Sequence, residues 1–214
     1  MNAKHRAAEN EPDTKEKLLE AAALVFSQRG FGGATVKEIA DQAGVNVSLI
    51  SYHFNGKEGL FRTIVENFGR ERLRDAEKIL SSPESMEDMR TKLRFWAQQF
   101  LVCQVDQNDV CSILHREDVC DQEILWDVFQ NTFLKQFEAI VKFFEAGRKK
   151  GILRKDVDPI VATTTIFGTL IHMGRSQKVQ QKWMKISIAD EKYRGQITDQ
   201  LLNILFNGIV GSPS

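Results

Sequence analysis

The strongest constraint in this chain is a run of 27 residues, Thr35–Phe61, reading TVKEIADQAGVNVSLISYHFNGKEGLF. Thr35 and Glu38 have capping-box spacing, so a helix opens there. Ile39 and Ala40 follow, and Gly44 supplies the left-handed stop. Asn46 is a good N-cap for the next helix, Val47 to Phe54, and Asn55-Gly56 then breaks the chain. Ala40 is small enough for two helices to cross on it. Ile39, Val45 and Ile50 are placed to lock the pair. Two short helices joined by so tight a turn form a helix-turn-helix, whose second helix enters the major groove of DNA.

The flanking sequence extends this unit. Asp13 and Glu16 also have capping-box spacing. Leu18, Leu19, Ala22, Val25 and Phe26 recur at helical intervals up to a stop at Gly30. The spacing therefore predicts a three-helix head over 13–60, preceded by a polar arm over 1–12. That arm is either plain disorder or a minor-groove arm using Lys4 and Arg6. In the head, Val47, Ser48, Leu49 and Ser51 face outward near the start of the second motif helix. The helix starts at Thr35 and Asn46 suit phosphate oxygens through open backbone N–H groups. Tyr52, His53 and Lys57 lie just beyond, within reach of phosphates.

Charge narrows the mode of binding. The chain has 29 Lys and Arg against 29 Asp and Glu, and residues 1–80 carry twelve of each. A generic nucleic-acid coat is strongly basic. This chain must use a few placed residues.

The head resembles the DNA-binding domain of tetracycline-repressor (TetR) family regulators. The likeness rests on Phe26-Ser27-Gln28-Arg29-Gly30-Phe31, Thr35 to Ala40, Ala43-Gly44-Val45, Tyr52-His53-Phe54 and Lys57-Glu58-Gly59-Leu60-Phe61, and covers roughly 14–65. It implies base contacts from Val47, Ser48 and Leu49, and a base or phosphate contact from Lys37. It implies backbone contacts from Tyr52, His53 and Lys57. Many members carry Tyr where Ser51 stands and Ser or Thr where Asn46 stands. The tyrosine here is one position on. Val47 and Leu49 offer no donor or acceptor and suit thymine methyls.

Residues 61–214 read as a helical body. Helices are expected from about Lys57 to Leu80, Met86 to Val105, within 110–118, from Asp121 to about Lys150, from Asp158-Pro159 to Met173, and from Asp190 to Val210. In the fourth of these, Leu125, Phe129, Phe133, Phe137, Ile140 and Phe144 make one apolar ridge. No strand is evident. The fold class is all-α, an N-terminal helix-turn-helix head plus a C-terminal ligand-binding and dimerisation domain.

The resemblance implies a homodimer on a pseudo-palindromic operator. The dimer candidates are Ala162, Gly168 and Ile171 on one helix, with Ile197, Leu201, Leu202, Leu205, Phe206 and Ile209 on the last. It also implies an unidentified small-molecule effector, expected to be apolar or aromatic. Phe95, Trp96, Phe100, Trp126, Phe129, Phe133, Phe137 and Phe167 are the candidate pocket lining, with His115 and His172 as polar anchors. The same aromatics also read as plain core.

Cys103, Cys111 and Cys120 flank His115, Arg116 and Glu117, which leaves thiol sensing open beside simple burial. A protein-controlled DNA-associated adaptor is the other alternative. No metal spacing, cofactor motif or catalytic motif occurs, so neither a metal, a cofactor nor enzyme activity is expected. The first seventeen residues lack the apolar core of a secretory signal, and no run spans a bilayer. With three cysteines, this fits a cytoplasmic protein without a membrane partner.

Overall fold

The computed structural model describes residues 11–116 and 123–208. Lys4, Arg6, Glu117, Cys120 and Ile209 lie outside the described residues. All regular structure among the described residues is helical: α1 (Glu11–Gly33), α2 (Val36–Ala43), α3 (Ser48–Phe54), α4 (Lys57–Ile79), α5 (Met86–Asp106), α6 (Asn108–Arg116), α7 (Trp126–Phe129), α8 (Lys135–Lys149), α9 (Pro159–Arg175), α10 (Gln177–Val179) and α11 (Glu191–Asn207).

Most ends follow the capping chemistry. Thr35 makes a full capping box with Glu38 at the start of α2, and Gly44 closes that helix at φ 67°. Ser85 caps α5, Asp158 caps α9 ahead of Pro159, and Asp190 caps α11. Two ends differ from expectation. Asp13 does not cap α1, because the helix already runs from Glu11; its carboxylate accepts from Lys17 Nζ at 2.6 Å instead. Gly30 breaks α1 as expected, at φ 73° and ψ 167°, but helical backbone resumes to Gly33.

The helix expected from Asp121 to Lys150 is not continuous. A 3₁₀ turn at Glu123–Leu125 leads into α7, and a π-turn at Gln130–Leu134 separates α7 from α8. The ridge explains the interruption. A repeat of four residues drifts about 40° per step around a helix of 3.6 residues per turn. The wider i→i+5 turn absorbs part of that drift. Its outcome is that Leu125, Ile140 and Phe144 are buried, whereas Phe129, Phe133 and Phe137 are half-buried.

The sequence reading missed α10 and the π-turn Gln180–Met184 that follows it. Their polar composition carries no helical apolar stripe. The turn ends at Lys185, one of two non-glycine residues at positive φ (57°) among the described residues.

The chain divides into two compact units, and neither is one continuous stretch. The first is the chain up to Gly69 with Asp109–Phe129; the second is Arg70–Asn108 with the chain from Gln130. A single division after residue 60 was expected. The first unit has Leu18, Ala22, Phe26, Ile39, Ile50, Leu60 and Phe61 fully buried. Phe26 and Phe61 meet edge to face at 5.1 Å, and Phe31 stands 4.8 Å from Phe61. The second unit is built around Met89, Leu93, Trp96, Leu101, Ile140, Phe143, Phe144, Ile166, Leu170 and Leu202.

Candidate nucleic-acid interface

In the first unit, Ile39, Ala40 and Ile50 are buried at the crossing of α2 and α3, with Val45 half-buried in the turn. This fixes which way α3 faces. Val47, Ser48, Ser51 and Tyr52 are exposed, with Val47 at 45% and Tyr52 at 74%. Leu49 and His53 are half-buried, and Thr35, Lys37 and Asn46 are exposed. The Tyr52 ring rests edge-on against His53 at 4.7 Å, which presents its hydroxyl outward from a semi-rigid mount.

Both helix starts are more closed than expected. Asn46 Oδ1 accepts from the Ser48 backbone N–H at 2.9 Å and from Ser48 Oγ at 2.7 Å. Asn46 therefore serves the cap while standing one residue before the helix flank. At α2, Thr35 Oγ1 accepts from the Glu38 N–H at 3.2 Å, and both the Thr35 N–H and hydroxyl donate to Glu38 Oε2. Those hydrogen bonds from Thr35 hold the Glu38 carboxyl below its ordinary range. A carboxylate thus occupies the amide end where a phosphate was expected, and like charge disfavours an anion there.

Lys57 is the clearest correction. Its ammonium donates to the carbonyls of Phe31 at 2.8 Å and Ala34 at 3.0 Å, and lies 4.5 Å from the Phe31 ring centroid. Carbonyls at a broken helix end lack intrahelical donors. Lys57 supplies them, so it ties the start of α4 to the α1–α2 junction instead of reaching for a phosphate.

Gly59 was matched only as part of a motif, yet it sets the geometry of α3. A Cβ there would lie 1.7 Å from the Phe54 carbonyl oxygen. The end of α3 therefore packs directly on the first turn of α4, and no side chain fits between.

Polar ties that the sequence did not reveal join α6 and α7 to the head within the same unit. Arg62 donates to Asp127 through both guanidinium nitrogens and to the Ile124 carbonyl at 2.9 Å. The hydrogen bond with Arg62 pulls the Asp127 carboxyl below its ordinary range and raises Arg62. Ser27 Oγ donates to Asp109 at 2.9 Å, and Arg116 donates to the Gln28 carbonyl at 3.1 Å. No local pattern marks such pairs, because their members stand dozens of residues apart.

The pocket candidates are divided between the two units. His115, Trp126 and Phe129 belong to the first unit, where Trp126 is half exposed and stacks on Phe129 at 6.1 Å. Phe95 is 51% exposed on α5, and His172 is exposed. Phe133 is half-buried in the second unit. Trp96, Phe100, Phe137 and Phe167 do gather, with Phe167 within 6.3 Å of each of the other three rings. Trp96 and Phe100 are buried there as core. A separate cleft of about 270 Å³ in the second unit has a mixed lining, with apolar side chains that include Met86, Phe144, Leu153, Val157, Leu205 and Phe206 and with Arg154, Asn207 and Gly208 beside them.

The dimer candidates differ in exposure. Ala162, Leu201 and Leu202 are buried within a single chain. Ile171, Ile197, Leu205 and Phe206 are half-buried against the same core. Gly168 is exposed, and the large apolar side chains that α9 and α11 leave exposed are Ile160, Val161 and Ile204.

Cys103 and Cys111 are buried. Among the described residues no three His, Cys, Asp or Glu side chains are grouped to hold a metal ion, and no helix is long and apolar enough to cross a membrane.

A compact helix-turn-helix with an outward-facing second helix, carried on a chain with a large helical second unit, defines a DNA-binding transcriptional regulator. The chain belongs to the TetR family. Residues 18–64 match the model for bacterial regulatory proteins of the tetR family. The chain is 31% identical over 139 residues to the probable HTH-type transcriptional regulator YttP of Bacillus subtilis (strain 168), across 64% of this chain and 66% of that relative. It is 23% identical over 200 residues to the HTH-type transcriptional repressor NicS of Pseudomonas putida, across 92% of each. Its fold matches the crystal structure of the transcriptional regulator FadR from Bacillus subtilis in complex with stearoyl-CoA, with a TM-score of 0.73 at 18% identity, over 91% of this chain and 99% of that one. Proteins of this family regulate transcription and are not enzymes.

Proposed function

We propose that the protein is a cytoplasmic repressor that binds a pseudo-palindromic operator as a homodimer and is released by a small apolar or aromatic molecule. The observation that carries the DNA reading is the outer face of α3. Val47 and Tyr52 stand in water on a helix whose opposite side, at Ile50, is fully buried. A rigid mount with an apolar contact and a hydroxyl on one short face suits a groove wall and its phosphates. Val47, Ser48 and Leu49 read base edges; Ser51, Tyr52, His53 and Lys37 position the backbone. The dimer reading draws on the faces of α9 and α11 that the chain leaves uncovered, Ile160, Val161 and Ile204. Two copies supply the phosphate contacts that a neutral chain lacks.

The effector reading draws on the second unit. Its cleft is near the lower end of the volume range for small-molecule sites. An effector there has an apolar body of modest size. Thiol sensing loses ground, since Cys103 and Cys111 are buried from oxidants.

The test is selection of bound sequences from random duplex DNA by the purified protein, followed by titration on the enriched site. The expected result is a pseudo-palindrome bound by two chains. Enrichment should lose its base preference, and not merely weaken, when Ser48 and Leu49 are exchanged for other small residues. Absence of any enrichment at low salt overturns the reading and favours an adaptor controlled by a protein partner.

A further inference from the structure

Acidic and basic residues balance over the whole chain, and again over residues 1–80, which contain the head. From Pro159 to Ala189 that balance fails. The stretch has no Asp or Glu, while Arg175, Lys178, Lys182 and Lys185 are cationic. All four are exposed, and no carboxylate in the stretch can neutralise them. They recur at steps of three, four and three residues, the spacing of neighbours on a helical surface. Trp183 stands among them, 74% exposed, with the Lys182 ammonium 5.4 Å from its ring.

The segment is anchored at both ends. Gln180 Nε2 donates to Ser176 Oγ at 2.7 Å, and Gln181 Nε2 donates to Ser187 Oγ at 3.0 Å. Beyond it Ile188 is fully buried, and its carbonyl accepts from Arg194 at 2.7 Å. Its place in the second unit is also defined. Gly174 packs on Gln104, in the last turn of α5, and three residues past Gln104 the Gln107 amide donates to Glu71 at 3.3 Å. Both Glu71 and Gln107 lie within two residues of points where the chain passes between the second unit and the unit that carries α3. The cations therefore emerge at the end of the second unit where those crossings occur.

We infer that Arg175–Lys185 is a second DNA-contacting surface, outside the helix-turn-helix, which holds backbone phosphates of the bound duplex and reads no base. This rests on the operator reading above. Charge carries the inference. A cluster of cations without counter-charges on a neutral chain is a local site for a polyanion, and duplex DNA is the polyanion a transcriptional regulator meets. Lysine ammoniums on flexible stems bind phosphates as point charges, and the Trp183 indole N–H is an open donor for a phosphate oxygen. Such contacts add affinity and fix position but carry no sequence information. The segment thus supplies what the charge-balanced head lacks.

The experiment uses the full chain and the duplex enriched by selection, with affinity followed against salt concentration and helix content checked by circular dichroism. Wild type is compared with Lys178→Gln/Lys182→Gln/Lys185→Gln and with Lys135→Gln/Lys142→Gln/Lys149→Gln, which removes the same charge from exposed positions on α8. The segment variant is expected to bind at least roughly tenfold more weakly at low salt, with a salt slope shallower by about two to three for each copy bound, and to enrich the same sequence as wild type. The α8 variant is expected to keep the wild-type slope. Equal loss of slope in both variants assigns the effect to overall charge and overturns the contact. A changed base preference in the segment variant overturns its phosphate role. Val179 and Met184, exposed beside the cations, also suit an anionic bilayer, so binding to phosphatidylglycerol vesicles is measured in parallel. An unchanged DNA slope with vesicle binding lost in the segment variant assigns the segment to a lipid surface instead. If wild type enriches a site and the segment variant keeps its slope, only the segment fails. If wild type enriches no duplex at low salt, the operator reading fails and the second contact with it.

Discussion

The head and the second unit obey the same packing physics, yet they differ in what holds their geometry. In the head, single residues carry it: a capping box at Thr35, left-handed glycines at Gly30 and Gly44, a lysine across two orphan carbonyls, and a glycine pressed on a carbonyl. In the second unit a large set of aliphatic and aromatic side chains shares the load around Trp96, Leu101 and Phe144. Chemistry concentrated in a few residues tolerates few replacements. Distributed packing tolerates many, provided volume and patterning are kept.

Two glycines test that contrast most sharply. At Gly59 an added Cβ meets the Phe54 carbonyl oxygen at 1.7 Å, a backbone atom that cannot swing aside. At Gly174 it meets the buried Gln104 side chain, Oε1 at 2.4 Å, Cδ at 2.6 Å and Cγ at 2.8 Å, which can shift by changing its χ angles where a backbone carbonyl cannot. Gly59→Ala should destabilise the protein by more than roughly 3 kcal/mol and abolish DNA binding, because α3 loses its seat on α4. Gly174→Ala should cost less, about 1–2 kcal/mol, since the displacement of Gln104 is partly offset by the helix preference of alanine. Urea denaturation of both variants measures the ratio. Equal losses would mean that the head is no more locally determined than the rest.

Lys57 and Tyr52 give the second test. They stand five residues apart and the sequence offers both for phosphates. The structure separates them: Lys57 is turned inward on Phe31 and Ala34, whereas Tyr52 is exposed. Lys57→Met should lower stability by roughly 2 kcal/mol, the scale of charged hydrogen bonds lost to partly buried carbonyls. In conditions where the variant stays folded, the salt dependence of DNA binding should be unchanged. Tyr52→Phe should do the reverse, leaving stability alone and weakening binding to all sequences by a similar factor. A reduced salt slope for Lys57→Met would return that residue to the phosphate backbone.

These cases explain what was legible in the sequence. Thr35, Glu38, Gly44, Asn55-Gly56 and Asp158-Pro159 act over fewer than five residues, so a local reading places them correctly. The faces of α2 and α3 follow from the same periodicity. Direction of a long side chain is a different matter. Whether Lys57 points out or in depends on carbonyls 23 and 26 residues away. The same limit divides the pocket and dimer candidates by burial. Ala162, Leu201 and Leu202 are apolar on helices, and only the packed core shows that they face their own chain while Ile160, Val161 and Ile204 do not. A row of aromatics at helical spacing likewise cannot announce the π-turn that breaks it between Phe129 and Lys135.

The smallest expected effect compares one ion pair from each unit. Arg62–Asp127 ties α4 to α7 in the first, and Arg94–Asp199 ties α5 to α11 in the second, with Arg94 Nε 2.5 Å from Asp199 Oδ1. Each carboxyl is held below its ordinary 3.8 chiefly by the hydrogen bond from its arginine. A depressed carboxyl stabilises the fold at pH values above its unfolded pKa, and that contribution is lost as pH falls through the lower folded value. Both pairs are largely solvated, so screening keeps each contribution small. Stability against urea, followed from about pH 6 down to pH 3, should therefore decline less steeply in Asp127→Asn and in Asp199→Asn than in wild type. The two should part in function. Asp127→Asn loosens the unit that contains α3 and should weaken operator binding slightly at neutral pH. Asp199→Asn, confined to a unit held by distributed packing, should leave operator affinity unchanged. An equal loss of affinity from both would show that the head takes its geometry from the second unit as much as from its own few residues.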